Sequence, residues 1–287
     1  MIGFLLFSTR SREKICPSRI NKNYGEIGQK LWSKFFYILT ILFEVEDKMK
    51  KVYLIGDSLS KSITCKNNHY TKGEFDVVKT LQENFEIQIE NYSQIGQTLS
   101  RIVKRYDEIF EKIDNSLKSL SMNCDKYFVV ELGGNDCDYY WEQVILSPNS
   151  FHHTKTPFDM FFKELKDIVI KAKNRGLKPI FLLTPPIVAE RYFELLSAKF
   201  NKDKVLEFLN YDITNIYRHQ ECYIINILKL AKVLNIKTID LRSEFLLKKD
   251  FNEYISEDGI HPNEKGYKFI YDIIATKLVD SCKSAVI

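Results

Sequence analysis

The stretch Lys51-Val52-Tyr53-Leu54-Ile55-Gly56-Asp57-Ser58-Leu59-Ser60 sets the fold of this chain. Val52–Ile55 is a short, continuous apolar run, which is how a strand buried on both faces reads. It stops at Gly56 and gives way to Asp57 and Ser58, small polar residues that suit a turn and the cap of a following helix.

The same alternation continues outward. Phe85–Tyr92, Tyr127–Leu132, Pro179–Thr184 and Ile236–Leu241 are further short runs of β-branched, aromatic and aliphatic residues, and each reads as a strand. Phe85-Glu86-Ile87-Gln88-Ile89-Glu90 alternates apolar with polar, so it is expected at a half-exposed edge. Amphipathic helical patterns lie between them, over Glu74–Asn84, Thr98–Leu120, Phe158–Arg175, Asp203–Leu234 and Asn263–Lys277. Gly176 follows Asn174-Arg175 as a C-terminal cap, with Pro179 shortly after. Strands alternating with helices predict a mostly parallel five-stranded sheet covered by helices. No internal repeat, low-complexity tract or Gly/Pro/Ser-rich linker interrupts the pattern, so one domain is expected.

The chain has 287 residues, 45% hydrophobic and 28% charged, a balance typical of globular proteins. Its net charge of +4 comes largely from the first 48 residues, and the remainder is close to neutral. No basic stripe wide enough to follow a phosphate backbone is present, which argues against a nucleic-acid partner. The 6 cysteines form no C-x-x-C pair and no Cys/His ligand spacing, so neither a zinc site nor any other metal is expected. Free thiols in a reducing compartment are expected instead.

Residues 1–48 stand apart. Ile2–Phe7 is too short for the core of a signal peptide and lacks a cleavage site. Phe35–Phe43 falls well short of the roughly 20 residues that span a bilayer. A cytoplasmic protein without stable membrane insertion is therefore expected. Leu31, Phe35, Leu39 and Leu42 recur at helical spacing, which suits a packing or membrane-surface helix. The other reading takes Met49-Lys50-Lys51, directly before the first strand, as the natural bacterial start. Residues 1–48 are then an extension outside the fold, and 49–287 form the domain.

Open parallel sheets place their sites beyond the carboxyl ends of the strands. Four segments draw attention on that ground. They are Gly56-Asp57-Ser58-Leu59, Asn91–Thr98 containing Gly96, Glu131-Leu132-Gly133-Gly134-Asn135-Asp136, and Asp258-Gly259-Ile260-His261 before the last helix. Each alone could be an ordinary turn or cap. Together, in this order, they resemble the SGNH (GDSL-type) hydrolase family, over nearly everything after Met49. The resemblance implies a flavodoxin-like three-layer α/β/α sandwich. It also implies a serine hydrolase acting on ester bonds without a cofactor.

On that resemblance Ser58 is the nucleophile, His261 the base and Asp258 the partner that orients the imidazole. The Ser58 and Gly96 amides and the Asn135 side chain form the oxyanion hole. The chemistry fits the residue types. A serine hydroxyl needs a base to accept its proton, and a carboxylate behind the imidazole fixes its tautomer. Glycine at 96 is expected to allow close approach of the backbone. Asp57 and Asp136 are expected to brace their loops. Serine at position 60 departs from the Gly-x-Ser-x-Gly elbow of the other large serine-esterase fold.

Around this core, Tyr139, Trp141, Pro186 and Tyr192 are candidate pocket residues, because they follow strands on loops able to wall a cavity. Cys137 is expected to be a bystander thiol, His152-His153 an exposed loop, and Arg218-His219-Gln220-Glu221 a solvated helix face. Short acyl or acetyl esters of a small molecule or carbohydrate are the expected substrates. The same triad could instead pass its acyl group to a sugar hydroxyl. A silent carbohydrate- or lipid-binding domain on this fold is the reading outside enzymology. The family's lysophospholipases, thioesterases, carbohydrate acetylesterases and aryl esterases are not separated by any motif here, and oligomeric state is left open.

Overall fold

The computed structural model of the chain describes residues 49–120 and 124–283. The extension over 1–48, with both readings of it, lies outside the described residues.

Five strands form one parallel sheet. They are β1 (Lys50–Ile55), β4 (Ile87–Asn91), β5 (Asp125–Val130), β6 (Lys178–Leu183) and β7 (Lys237–Asp240), in the order β4-β1-β5-β6-β7. This is the flavodoxin-like order, in which the chain reverses its direction of winding between β1 and β5. Leu54 aligns with Val129 across that pair, so both strands end at the same level. β4 occupies the edge that its alternating pattern predicted.

β1 shows why the sheet is covered on both faces, since successive side chains point to opposite sides. Tyr53 and Ile55 enter one core with Leu99, Ile109, Phe161 and Tyr223. Those residues come from α2 (Leu99–Val103), α3 (Tyr106–Lys118), α5 (Phe158–Lys173) and α8 (Asn215–Leu234). Val52 and Leu54 enter the other core with Leu81, Phe245 and Ile270. Their helices are α1 (Val77–Asn84), α9 (Leu241–Leu246) and α10 (Glu264–Lys283). Three layers result, as the resemblance implied.

Two long helical patterns are broken. Thr98–Leu120 divides into α2 and α3 at Lys104-Arg105, and Asp203–Leu234 divides into α7 (Lys202–Phe208) and α8. Asn210 and Tyr211 separate the second pair with φ of 53° and 57°. Asp212 then accepts from the Thr214 amide and hydroxyl, a local bond that competes with continued helix.

Several elements had no counterpart in the sequence pattern. The antiparallel hairpin of β2 (Ile63–Lys66) and β3 (His69–Lys72) is one. α4 (Trp141–Val144), α6 (Ala189–Lys199) and α9 are the others. α4, α6 and α7 build a third apolar cluster, with Trp141, Ile187, Tyr192, Val205, Leu209 and Ile216 at its centre.

Candidate active site

The turn after β1, the loop after β5 and the loop before α10 converge beyond the carboxyl ends of the sheet. Ser58 begins a 3₁₀ turn (Leu59–Lys61) and is 7% exposed. Its Oγ lies 2.8 Å from His261 Nε2, although the two residues are 203 positions apart. His261 Nδ1 lies 2.5 Å from Asp258 Oδ2. With Nδ1–H donated to a carboxylate, Nε2 is left without a proton, as a hydrogen-bond acceptor facing the Ser58 hydroxyl.

Asp258 is well suited to stay ionised. Burial opposes its charge, but the His261 ring and the Ile260 and His261 amides outweigh it and hold the carboxyl below its ordinary range. Both amides reach Asp258 Oδ1 at 3.1 Å, so one carboxylate organises its own loop and the imidazole.

Asp57 and Asp136 brace their loops as expected. Asp57 Oδ1 accepts from the Leu59 amide at 3.0 Å, and Oδ2 accepts from Asn135 Nδ2 at 2.7 Å. An amide nitrogen carries two protons, so Asn135 retains one N–H beyond this bond. Asp136 accepts from the Leu99 amide (2.7 Å), the Gly133 amide (3.1 Å) and the Thr156 hydroxyl (2.5 Å). It thereby ties the segment carrying Gly96 to the segment carrying Asn135. Gly96 has φ of +67°, and an added Cβ would meet nothing nearer than Arg101 Nη1 at 3.8 Å. Its left-handed backbone, rather than crowding by the protein, is what favours glycine here.

A cavity of about 340 Å³ opens beside Ser58, Asn135 and His261. Tyr139, Trp141 and Tyr192 line it, together with Ile187, Phe208 and Ile216. Asp138, not anticipated from sequence, ties these walls together. Its Oδ1 accepts from Trp141 Nε1 (2.9 Å) and the Tyr192 hydroxyl (2.8 Å), and Lys155 Nζ sits 2.7 Å from Oδ2. Burial beside this carboxylate pushes the Tyr192 phenol well above its ordinary range.

Two expectations are corrected. Pro186 is buried away from the cavity, while Pro185 and Ile187 line it, because alternate residues of an extended segment face opposite ways. The segment 218–221 is a solvated face only in part: the Arg218 side chain is 70% exposed, but Gln220 is buried, His219 is half-buried, and Arg218, His219 and Gln220 all line the cavity. His219 Nε2 meets the Tyr139 hydroxyl at 2.8 Å, and burial lowers the imidazole pKa. Glu221 pairs with Arg242, which is 4% exposed. Cys137 is buried beside Gly134 O, and burial pushes its thiol far up, which leaves it unreactive.

The hairpin supplies another missed neighbour. Tyr70 packs edge-on to His261 with ring centroids 5.4 Å apart. The Cys65 and Asn67 amides bond to Ser256 Oγ and Glu257 Oε2, fastening the hairpin to the His261 loop. Asn67-Asn68 was the available signal, because asparagine tolerates the positive φ of a two-residue hairpin turn and both residues adopt it.

Residues 52–274 match the family of GDSL-like lipases and acylhydrolases. The chain belongs to that family. It is an ester-hydrolysing enzyme of the SGNH hydrolase fold. Among solved structures, it resembles a catalytic mutant of an acetylxylan esterase from Geobacillus stearothermophilus at 17% identity. That likeness covers 79% of this chain and 93% of the other, with a TM-score of 0.53. LAE5, an alpha/beta hydrolase enzyme from the metagenome of Lake Arreo, gives 16% identity, coverage of 79% and 94%, and a TM-score of 0.53. A putative acylhydrolase from Bacteroides fragilis gives 15% identity, coverage of 88% and 98%, and a TM-score of 0.51. At these identities the three structures support the fold. Comparison with curated proteins gives no match. Among the described residues of this GDSL-family enzyme, no helix is long and apolar enough to cross a membrane.

Proposed function

We propose that this enzyme hydrolyses carboxylic esters through an acyl-Ser58 intermediate. The observation that carries the proposal is the continuous hydrogen-bonded chain Ser58 Oγ–His261 Nε2 (2.8 Å) and His261 Nδ1–Asp258 Oδ2 (2.5 Å). His261 takes the Ser58 proton as Oγ attacks the ester carbonyl, and the bond formed is Oγ–C. The tetrahedral oxyanion is held by the Ser58 and Gly96 amides and the free N–H of Asn135. Collapse breaks the bond to the alkoxy oxygen, which leaves with the proton from His261. Water then attacks the acyl-serine with His261 as base, releasing the acid and restoring Ser58.

Short acyl esters are the proposed substrates. The cavity of about 340 Å³ is at the small end of ligand pockets, and its aromatic walls suit an apolar acyl group or a sugar ring. An acetylxylan esterase among the fold neighbours makes an acetylated sugar a reasonable first carbohydrate ester to try. The test is turnover of p-nitrophenyl acetate by wild type and Ser58→Ala. The variant should lose roughly 10⁴-fold or more in kcat while remaining folded by circular dichroism. Retained turnover would overturn the proposal.

A further inference from the structure

Behind the nucleophile turn lies a carboxyl group that the mechanism above does not use. Glu131 follows the last residue of β5 and is 0% exposed. Its Oε2 accepts from the Asp57 amide at 3.1 Å and from the Ser60 hydroxyl at 2.9 Å. Its Oε1 is buried with no hydrogen-bond partner. The fit is close, since a Cβ on Gly56 would stand 2.6 Å from both Glu131 Oε2 and Ser60 Oγ. Glycine at 56 is therefore what lets this carboxyl reach the backbone of the turn.

We propose that Glu131 is a positioning residue, present as a neutral carboxylic acid, that aims the oxyanion donors through Asp57. The inference rests on the acyl-Ser58 reading. By holding the Asp57 amide and the Ser60 hydroxyl, Glu131 fixes the turn on either side of Ser58 and so the direction of the Ser58 N–H. Asp57, fixed in turn, holds Asn135 Nδ2 at 2.7 Å. Two of the three proposed oxyanion donors are thus set from one buried side chain.

Charge balance explains why the proton stays on Glu131. Burial raises the Asp57 carboxyl above its ordinary range too, but Asp57 has what Glu131 lacks to offset it: the Leu59 amide, the facing His261 ring and the Asn135 amide all favour its ionised form. A second charge a few ångströms away would have little to stabilise it. Among the described residues neither carboxyl pairs with a lysine or arginine, and the other titratable groups near the pair are Asp136, Tyr267 and His261. An orphaned oxygen such as Oε1 is also far more costly on a carboxylate than on a neutral acid. Burial and the Asp57 charge accordingly push the Glu131 carboxyl well above its ordinary range. A doubly charged pair would also repel the oxyanion that the site must hold.

Three forms of the full chain test this: wild type, Glu131→Gln and Glu131→Leu. Glutamine keeps a neutral oxygen acceptor, and leucine removes it. With p-nitrophenyl acetate, Glu131→Gln should keep kcat within about threefold. Glu131→Leu should lower kcat by about tenfold or more with KM little changed, because two buried donors lose their acceptor. The wild-type minus Glu131→Gln infrared difference spectrum at neutral pH should contain the carbonyl band of a protonated carboxylic acid. A glutamine variant as impaired as the leucine variant, or a folded and fully active leucine variant, would overturn the proposal. So would a difference spectrum showing only carboxylate bands. If Glu131→Leu does not fold, the glutamine kinetics and the infrared band still decide. A wild type without ester turnover would instead overturn the hydrolase reading, and the infrared band would remain the test of the Glu131 proton.

Discussion

Asn135 and Asp136 are adjacent but separate in role. Asn135 gives one N–H to Asp57 and keeps another, which the proposed mechanism directs at the oxyanion, so Asn135→Ala should act on the transition state. The expected loss is about 10²–10³ in kcat with a small change in KM, read from steady-state kinetics. A change confined to KM would contradict that role. Asp136 acts on stability. Burial raises its carboxyl to about 6, against bonds from Thr156, Leu99 and Gly133 that favour the charge. The folded protein therefore keeps this proton between about pH 4 and 6, where the unfolded chain has lost it. Its contribution is complete below pH 4 and disappears as pH rises through 6, a change on the order of 3 kcal/mol. The stability difference between wild type and Asp136→Asn, from urea unfolding, should shrink by about that amount from pH 4 to pH 7. A pH-independent difference would contradict the shift.

At the scale of elements, the interrupted helix is the most testable feature. Tyr211 is 74% exposed and sits at φ 57°, a conformation costing a non-glycine residue about 1–2 kcal/mol. Tyr211→Gly should raise stability by about 0.5–1 kcal/mol after glycine's own entropic cost, as measured by urea unfolding. Destabilisation would mean that the exposed ring is packed more tightly than its exposure indicates. The same break shows where a single sequence stops being legible. The five strands of the sheet were readable because their runs are apolar and short, and the edge position of β4 was readable from its alternation. The division at Asn210-Tyr211 was not, because amphipathic spacing resumes in phase after it. Nor was the hairpin, whose β3 residues His69–Lys72 are all exposed and carry no apolar alternation. α6 and α9 were hidden because tertiary packing, not a long periodic stretch, holds them.

For the whole molecule, the switch between β1 and β5 is what places Ser58 and Asn135 side by side, while the chain must return through α10's leading loop to deliver His261. The four chemical segments were visible in the sequence because glycine, serine, asparagine and histidine stood out against apolar strands. Glu131 and Asp138 were less visible, since they support other side chains and only the fold brings them close. Glu131 did leave one trace, a charge directly after the apolar run Tyr127–Val130. The central claim is that Ser58 carries the acyl group. Labelling the full chain with a fluorophosphonate, followed by peptide mass spectrometry, tests it most directly. A single adduct on the Ser58 peptide, absent in Ser58→Ala and strongly slowed in His261→Ala, is the predicted result. Labelling of another residue, or undiminished labelling of Ser58→Ala, would contradict it.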